Sequence, residues 1–246
     1  MAIPLPRWRV SAGSEMRRAY KEVTVSASSE GYGIALDGKP MRTPAKLPLL
    51  LPSRALAEAI AAEWADQGQE VRPHAMPLMR LASTAIDVLA RRRADAVAEI
   101  VAYAGTDLVC YRAERPPALV KRQQTIWQPL VDWATLRYDA PLVVTSGIVP
   151  IGQSPATLRA FASAVEAYDL LALAALHAAT AACGSLVIAL ALLENRLSAA
   201  EAFAASQLDE SFQIAQWGED AEQAQRRAAL AEEIAAAARF AALARP

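Results

Sequence analysis

Proline all but disappears after the first two-thirds of this chain, and that asymmetry constrains the fold more than any motif does. Of fifteen prolines, fourteen lie at or before Pro155 and the last is Pro246; the ninety residues between contain only Gly184 and Gly218 as glycines. Proline removes a backbone donor and clashes with the preceding helical turn, whereas alanine costs a helix nothing. The alanine-rich stretch beyond Pro155 is therefore free to be almost wholly helical. At 246 residues, 54% hydrophobic and 21% charged, the chain can also bury a substantial core without disulfide or metal staples.

The first fifty residues read as β-structure. Val23, Val25 and Ala27 alternate with polar residues, and so do Tyr32, Ile34 and Leu36 ahead of Asp37-Gly38, a pair suited to the positive φ angles of a tight hairpin. Pro40, Pro44, Pro48 and Pro52 keep the chain extended up to Ser53. That serine is placed to cap a helix with Leu56, Ile60 and Trp64 on one face, which Gly68 is expected to end. Leu78, Leu81, Ala82, Ala85, Ile86 and Leu89 carry helical spacing, a second helix is predicted over about 95–103, and Pro116-Pro117 open another that Pro129 should kink or restart. A short extended piece, Leu142 to Thr145, precedes helices predicted near 156–167, 170–194, 199–217 and 220–243. Strands first and helices after is an α+β order.

Net charge is −1, which argues against the phosphate-neutralising surface of a non-specific nucleic-acid binder. The sum hides an asymmetry, because residues 1–54 carry nine Lys/Arg against four Asp/Glu and residues 201–233 carry eight acids against two arginines. Cys110 and Cys183 have no paired spacing, so neither a disulfide framework nor a zinc site is expected, and a reducing compartment fits. Met1 to Val10 lacks the apolar core of a secretion signal and the length of an organelle presequence. Leu170 to Leu193 has no formal charge over twenty-four residues, but nine alanines together with His177, Thr180, Gly184 and Ser185 mark it as the centre of a helical domain rather than a membrane span.

Catalytic chemistry finds little to stand on. The two histidines, His74 and His177, belong to no metal-binding spacing; His177 is expected as a hydrogen-bonded core residue and His74 in an ordered loop. Gly31-Tyr32-Gly33 leads into a strand rather than a phosphate-holding helix, and Gly184-Ser185, read as interior to an apolar helix, is expected to let another helix come close. No catalytic residue, cofactor or metal is assigned. The remaining constellation is Leu208 to Asp220. Ala205, Leu208, Phe212 and Ala215 form an apolar face, while Asp209, Gln213, Gln216 and Asp220 form a polar one with Glu210, Glu219 and Glu222 nearby, and Trp217 sits beside Gly218 at the helix end. An ordinary solvated face and a tryptophan closing the core compete with a partner surface at this point.

The blocks YKEV from Tyr20, LDGKPMRTP from Leu36, LAEAIAAEWADQ from Leu56, MPLMRLASTAIDV from Met76, DLVCYRAERP from Asp107, Gln124 with Trp127 to Trp133, GSLVIALAL from Gly184 and LDESFQIAQWGED from Leu208 occur in one order over about two hundred residues. In that order they resemble the assembly chaperones that attend the alpha subunit of the F-type ATP synthase catalytic head, found in mitochondria and some bacteria. The resemblance implies a non-enzymatic chaperone with a small β-rich N-terminal domain, placed at 1–65, and a larger multihelical domain, placed at 66–246. It would mask the apolar surface of the free alpha subunit and yield it to the beta subunit, with no nucleic acid, no membrane insertion and no ATPase cycle. It further implies an acidic contact in the helical domain, carried onto Glu210 first, with Asp209, Glu219 and Asp220 behind it; Gln213 and Trp217, from the polar face and the helix end read above, complete the candidate partner-binding set. A bacterial cytoplasmic member, monomeric when free, is expected. A regulatory module that binds the finished synthase and a small-molecule hydrolase are the alternatives.

Overall fold

The computed structural model describes residues 17–147 and 151–245. The N-terminal segment Met1 to Val10, read above for targeting signals, lies outside them. The described residues pack into two compact units, one made of 17–93, Asp169–Ala175 and 239–245, the other of 94–168 and Leu176–Ala238.

In the first unit, β1 (Val23–Ser28) and β2 (Gly31–Leu36) pair antiparallel, with Val23 opposite Leu36 and Ser28 opposite Gly31. Gly31 has φ +134°, and a Cβ there would meet the Leu51 carbonyl oxygen at 2.6 Å, so no other residue fits. Asp37 and Gly38, at φ 47° and 76°, turn the chain into β3 (Lys39–Pro40), as the hairpin signal predicts. The Asp37 carboxylate accepts from the Lys21 and Glu22 amides at 3.0 and 2.8 Å, and those two donors hold its pKa below the usual range. β4 (Leu50–Leu51) pairs with the other end of β2.

Ser53 caps α1 (Arg54–Ala65) by accepting from the Leu56 amide at 3.1 Å, and Leu56, Ile60 and Trp64 are buried on one face that packs across β1 and β2. Gly68 does not end this helix. Gln67 does so with both ends of its amide, Nε2 donating to the Glu63 carbonyl at 2.9 Å and Oε1 accepting from the Arg72 amide at 2.7 Å. Glu63 turns to α2 (Pro77–Thr84), where its carboxylate accepts from the Leu78 and Met79 amides. A π-helical turn (Ala85–Leu89) continues into α3 (Ala90–Gly105), which is kinked at Arg92, φ −129° and ψ 33°, so that the stretch beyond the kink contains the second helix predicted over about 95–103. Asp87 in that turn accepts from the Thr43 hydroxyl and from the Ala45 amide at 3.0 Å. The LDGKPMRTP and MPLMRLASTAIDV blocks are thus joined by a side-chain bond.

In the second unit, a 3-10 turn (Leu108–Cys110) leads into β5 (Tyr111–Arg112), which pairs parallel with β6 (Thr145–Ser146). α4 (Pro117–Tyr138) runs through Pro129 without restarting and ends at Asp139 in the left-handed region. Ser154 caps α5 (Pro155–Glu166). The predicted single helix over 170–194 is two, α6 (Leu170–Cys183) and α7 (Leu186–Leu193). Gly184 at φ 63° stops the first, and Ser185 caps the second by accepting from the Ile188 amide at 3.0 Å. A Cβ on Gly184 would meet nothing within 4 Å, so the glycine serves the turn and not a close helix approach. All eight residues of α7 are buried. Beneath its first turn lies Asp107, fully buried, accepting from the Val109 amide at 3.2 Å, the Ser185 hydroxyl at 2.5 Å and the Val187 amide at 3.1 Å.

The predicted helix over 199–217 also divides, at Gln207, into α8 (Ala199–Ser206), opened by a Ser198/Glu201 capping box, and α9 (Leu208–Trp217). α10 (Ala221–Ala244) closes the chain. No helix among the described residues is long and apolar enough to cross a membrane. A small antiparallel sheet followed by many helices is the α+β architecture expected.

Candidate partner-binding face

α9 is held by its first turn and by its neighbours. Leu208 is buried and Phe212 half-buried beneath the Arg122 guanidinium, 5.6 Å from the ring centre, whereas Ala215 is exposed and Ala205 belongs to α8. The apolar face expected along one helix therefore comes from two. Asp209 and Glu210 sit in the first turn, where a carboxylate favours the helix dipole.

The four candidate acids each have an intramolecular partner. Asp209 is half-buried and accepts from Gln123 Nε2 at 2.8 Å; burial pushes its carboxyl pKa up, while that bond and the nearby Arg112 charge pull it down. Glu210 accepts from Gln223 Nε2 and lies 3.5 Å from an Arg226 Nη2. Glu219 pairs with Arg227 Nε at 3.1 Å, and Arg227 in turn donates to the Ser211 hydroxyl at 3.0 Å. Asp220 caps α10, its carboxylate accepting from the Gln223 amide at 2.8 Å. The side chains of Gln213 and Trp217 point outward, and Trp217 is 77% exposed at the last position of α9 before Gly218 at φ 86°. It closes no core.

Two residues that sequence reasoning passed over organise this face from behind. Arg112, only 9% exposed, donates through Nε to the Val109 carbonyl at 2.8 Å and through Nη1 to the Gln123 carbonyl at 2.9 Å, and stacks 5.4 Å from the Trp127 ring centre. Gln123 is buried and bridges three segments. Its Oε1 accepts from the Ala113 amide at 2.7 Å, its carbonyl from Arg112, and its Nε2 reaches Asp209. Trp127 Nε1 donates to the Ala205 carbonyl at 2.8 Å and fixes α4 against the end of α8. Arg112 lies within the DLVCYRAERP block and Gln123 beside Gln124, but nothing local in either marks it as a hub.

Elsewhere the chemistry is structural. Two open clefts of about 1030 and 460 Å³ lie in the first unit; the larger is lined by Glu63, Gln67, Arg72 and Arg239, of which Glu63 and Gln67 are already occupied as helix caps. His177 is half-buried, its Nε2 3.3 Å from a Glu99 oxygen, and His74 lies in a short 3-10 turn. Both cysteines are buried, and loss of solvent pushes both thiols up to about 12. Among the described residues no three His, Cys, Asp or Glu side chains cluster as a metal site would require.

Comparison with known proteins matches residues 17–135 to a family model described as ATP12 chaperone protein. Three solved structures are similar over nearly the whole chain. Atp12 from Paracoccus denitrificans is 40% identical with a TM-score of 0.88, covering 94% of this chain and 99% of that one. An aspartate-to-lysine variant of P. denitrificans Atp12p is 39% identical with a TM-score of 0.89, covering 94% and 100%. The Atu1473 protein from Agrobacterium tumefaciens is 42% identical with a TM-score of 0.88, covering 93% and 86%.

Proposed function

We propose the following function for this chain, which belongs to the ATP12 chaperone family: it captures the unassembled alpha subunit of the F-type ATP synthase catalytic head and hands it on during assembly. The observation that carries the reading is Trp217, a large aromatic ring 77% exposed at the end of a helix whose neighbouring polar side chains are tethered. An exposed tryptophan beside ordered polar groups is the composition of an interface anchor, because the ring buries much area and its rim excludes water. Gln213 supplies amide donors and acceptors one turn away. Glu210, Asp209, Glu219 and Asp220 then act mainly by fixing the shape of this face, and Glu210 and Glu219, whose partners leave each side chain about one-third exposed, together with the exposed Asp220 are placed to meet a client as well.

The physical logic needs no nucleotide. A free subunit exposes apolar surface that drives aggregation, and a reversible cover suppresses it. Release follows when the assembling partner offers a lower free energy than the chaperone. The family setting supports a binding role over hydrolysis, as does the engagement of Glu63 in the larger cleft by the Leu78 and Met79 amides.

The test is size-exclusion chromatography of the purified chain with isolated alpha subunit and, separately, with the assembled catalytic head. Co-elution with the free subunit, lost in Trp217→Ala with the thermal melt unchanged, is the expected result. Binding only to the assembled head would overturn the reading in favour of a regulatory module.

A further inference from the structure

α4 carries a second apolar surface that the α9 face does not account for. Ile126, Pro129, Trp133 and Leu136 follow one another at intervals of three, four and three residues, the spacing of a helix–helix seam. Helix seams of this kind are normally covered. Here Leu136 is 87% exposed, Ile126 is 39% exposed, Pro129 is exposed, and Trp133 is half-buried against Tyr138 and beneath Arg196. Pro129 has no N–H, so the Thr125 carbonyl one turn back lacks its helical donor and offers an acceptor on the same side of the helix.

The rim of the seam is basic. Lys121 and Arg122 precede Ile126, and Arg137 and Arg196 border its other end, against Asp132 and the Glu194 that pairs with Arg137 at 3.0 Å. The seam is also continuous with the α9 face, since Arg122 lies over Phe212 and Gln123 holds Asp209. An isologous contact between two copies would set the same cations of each copy against those of the other, which disfavours self-association as the reason for the exposure.

We infer that this seam is a docking groove for an amphipathic helix of the client subunit, one whose apolar ridge is bordered by acidic side chains. The inference rests on the chaperone reading above and extends it from one helix end to a two-sided grip. An apolar seam supplies area with little side-chain discrimination, while the cationic rim and the α9 face set orientation.

The experiment is quantitative capture of purified alpha subunit by the full chain, wild type against Ile126→Glu/Leu136→Glu. Both positions are exposed, so the melt should be unchanged, while capture falls at least tenfold. A photo-crosslinking residue at position 136 should join covalently to the subunit and to an acidic-bordered helical segment of it. Undiminished capture by the double variant, or crosslinks confined to a second copy of this chain, overturns the docking groove and leaves the chaperone reading intact. Failure of the wild-type chain to capture the subunit at all removes both.

Discussion

Replacing Asp107 by alanine removes the acceptor on which the start of α7 depends. The side chain has no exposed surface and receives two backbone amides, from Val109 and Val187, and the Ser185 hydroxyl. Water cannot reach these donors without opening the core. A stranded buried donor costs about 1–3 kcal/mol, so the two amides left without an acceptor cost about 2–6 kcal/mol together. That is a large share of the roughly 5–15 kcal/mol that holds a domain folded. For a chain of this size each kcal/mol moves the melting midpoint by about 2–4 °C, which places the expected drop at roughly 5–20 °C. Scanning calorimetry reads the midpoint, and urea unfolding checks that the denaturant slope is unchanged. Ser185→Ala, which loses the cap on the Ile188 amide and the hydroxyl bond to Asp107 but strands no amide of the Asp107 cluster, should cost less, about 1–2 kcal/mol. A drop below about 3 °C for Asp107→Ala would refute the reasoning, because it would mean that the two amides find other acceptors.

The same residue predicts a pH dependence. Burial raises the Asp107 pKa to about 6 against the donors that lower it, so the folded state holds the proton more tightly than the unfolded chain. Its contribution is complete below the ordinary carboxylate value and is lost as pH rises through about 6; the stability gap between wild type and Asp107→Asn should widen by roughly 1–1.5 kcal/mol from pH 7.5 to 5, and a constant gap in urea titrations would contradict it. Glu210→Lys sets a lysine beside Arg226, an exposed pairing that should lower the melt by no more than about 3 °C; Arg226→Glu in the same chain should restore the melt, and capture of the alpha subunit stays impaired only if Glu210 itself meets the client. Gly31→Ala forces a Cβ onto the Leu51 carbonyl at a φ that alanine avoids, and should cost about 2–4 kcal/mol in urea unfolding; a neutral result would show that β4 can move aside.

Features set by neighbouring residues were legible in the sequence. The Asp37-Gly38 turn, the Ser53 cap, the apolar face of α1 and the helix opened by Pro117 all follow from local chemistry. Features set by distant residues were not. The break between α6 and α7 lies in a run that is apolar on both sides, and the carboxylate that stabilises it comes from Asp107, seventy-eight residues before Ser185. Periodicity alone cannot register such a partner. α1 likewise ends by a glutamine amide that reaches forward to Arg72, where a glycine nearby was the stronger local signal. At the candidate site, the polar stripe on α9 was visible, but its division into tethered acids and outward-facing Gln213 and Trp217 depends on Gln123, Arg226 and Arg227 arriving from other helices. The open seam on α4 was hidden for a similar reason, because an apolar helical spacing looks the same whether or not something covers it.

The tryptophans differ so much in surroundings that the protein carries its own optical reporter. Trp127 has no exposed surface and Trp64 is 6% exposed, whereas Trp217 is 77% exposed. Among the described tryptophans the red edge of the emission spectrum therefore belongs chiefly to one ring, and a quencher in the solvent reaches that ring first. Anything that settles on the end of α9 alone will shift this emission to shorter wavelength and shield it from quenching, while a partner that also covers the α4 seam will shield the half-buried Trp133 as well, so Trp217→Phe separates the two signals in an unlabelled sample.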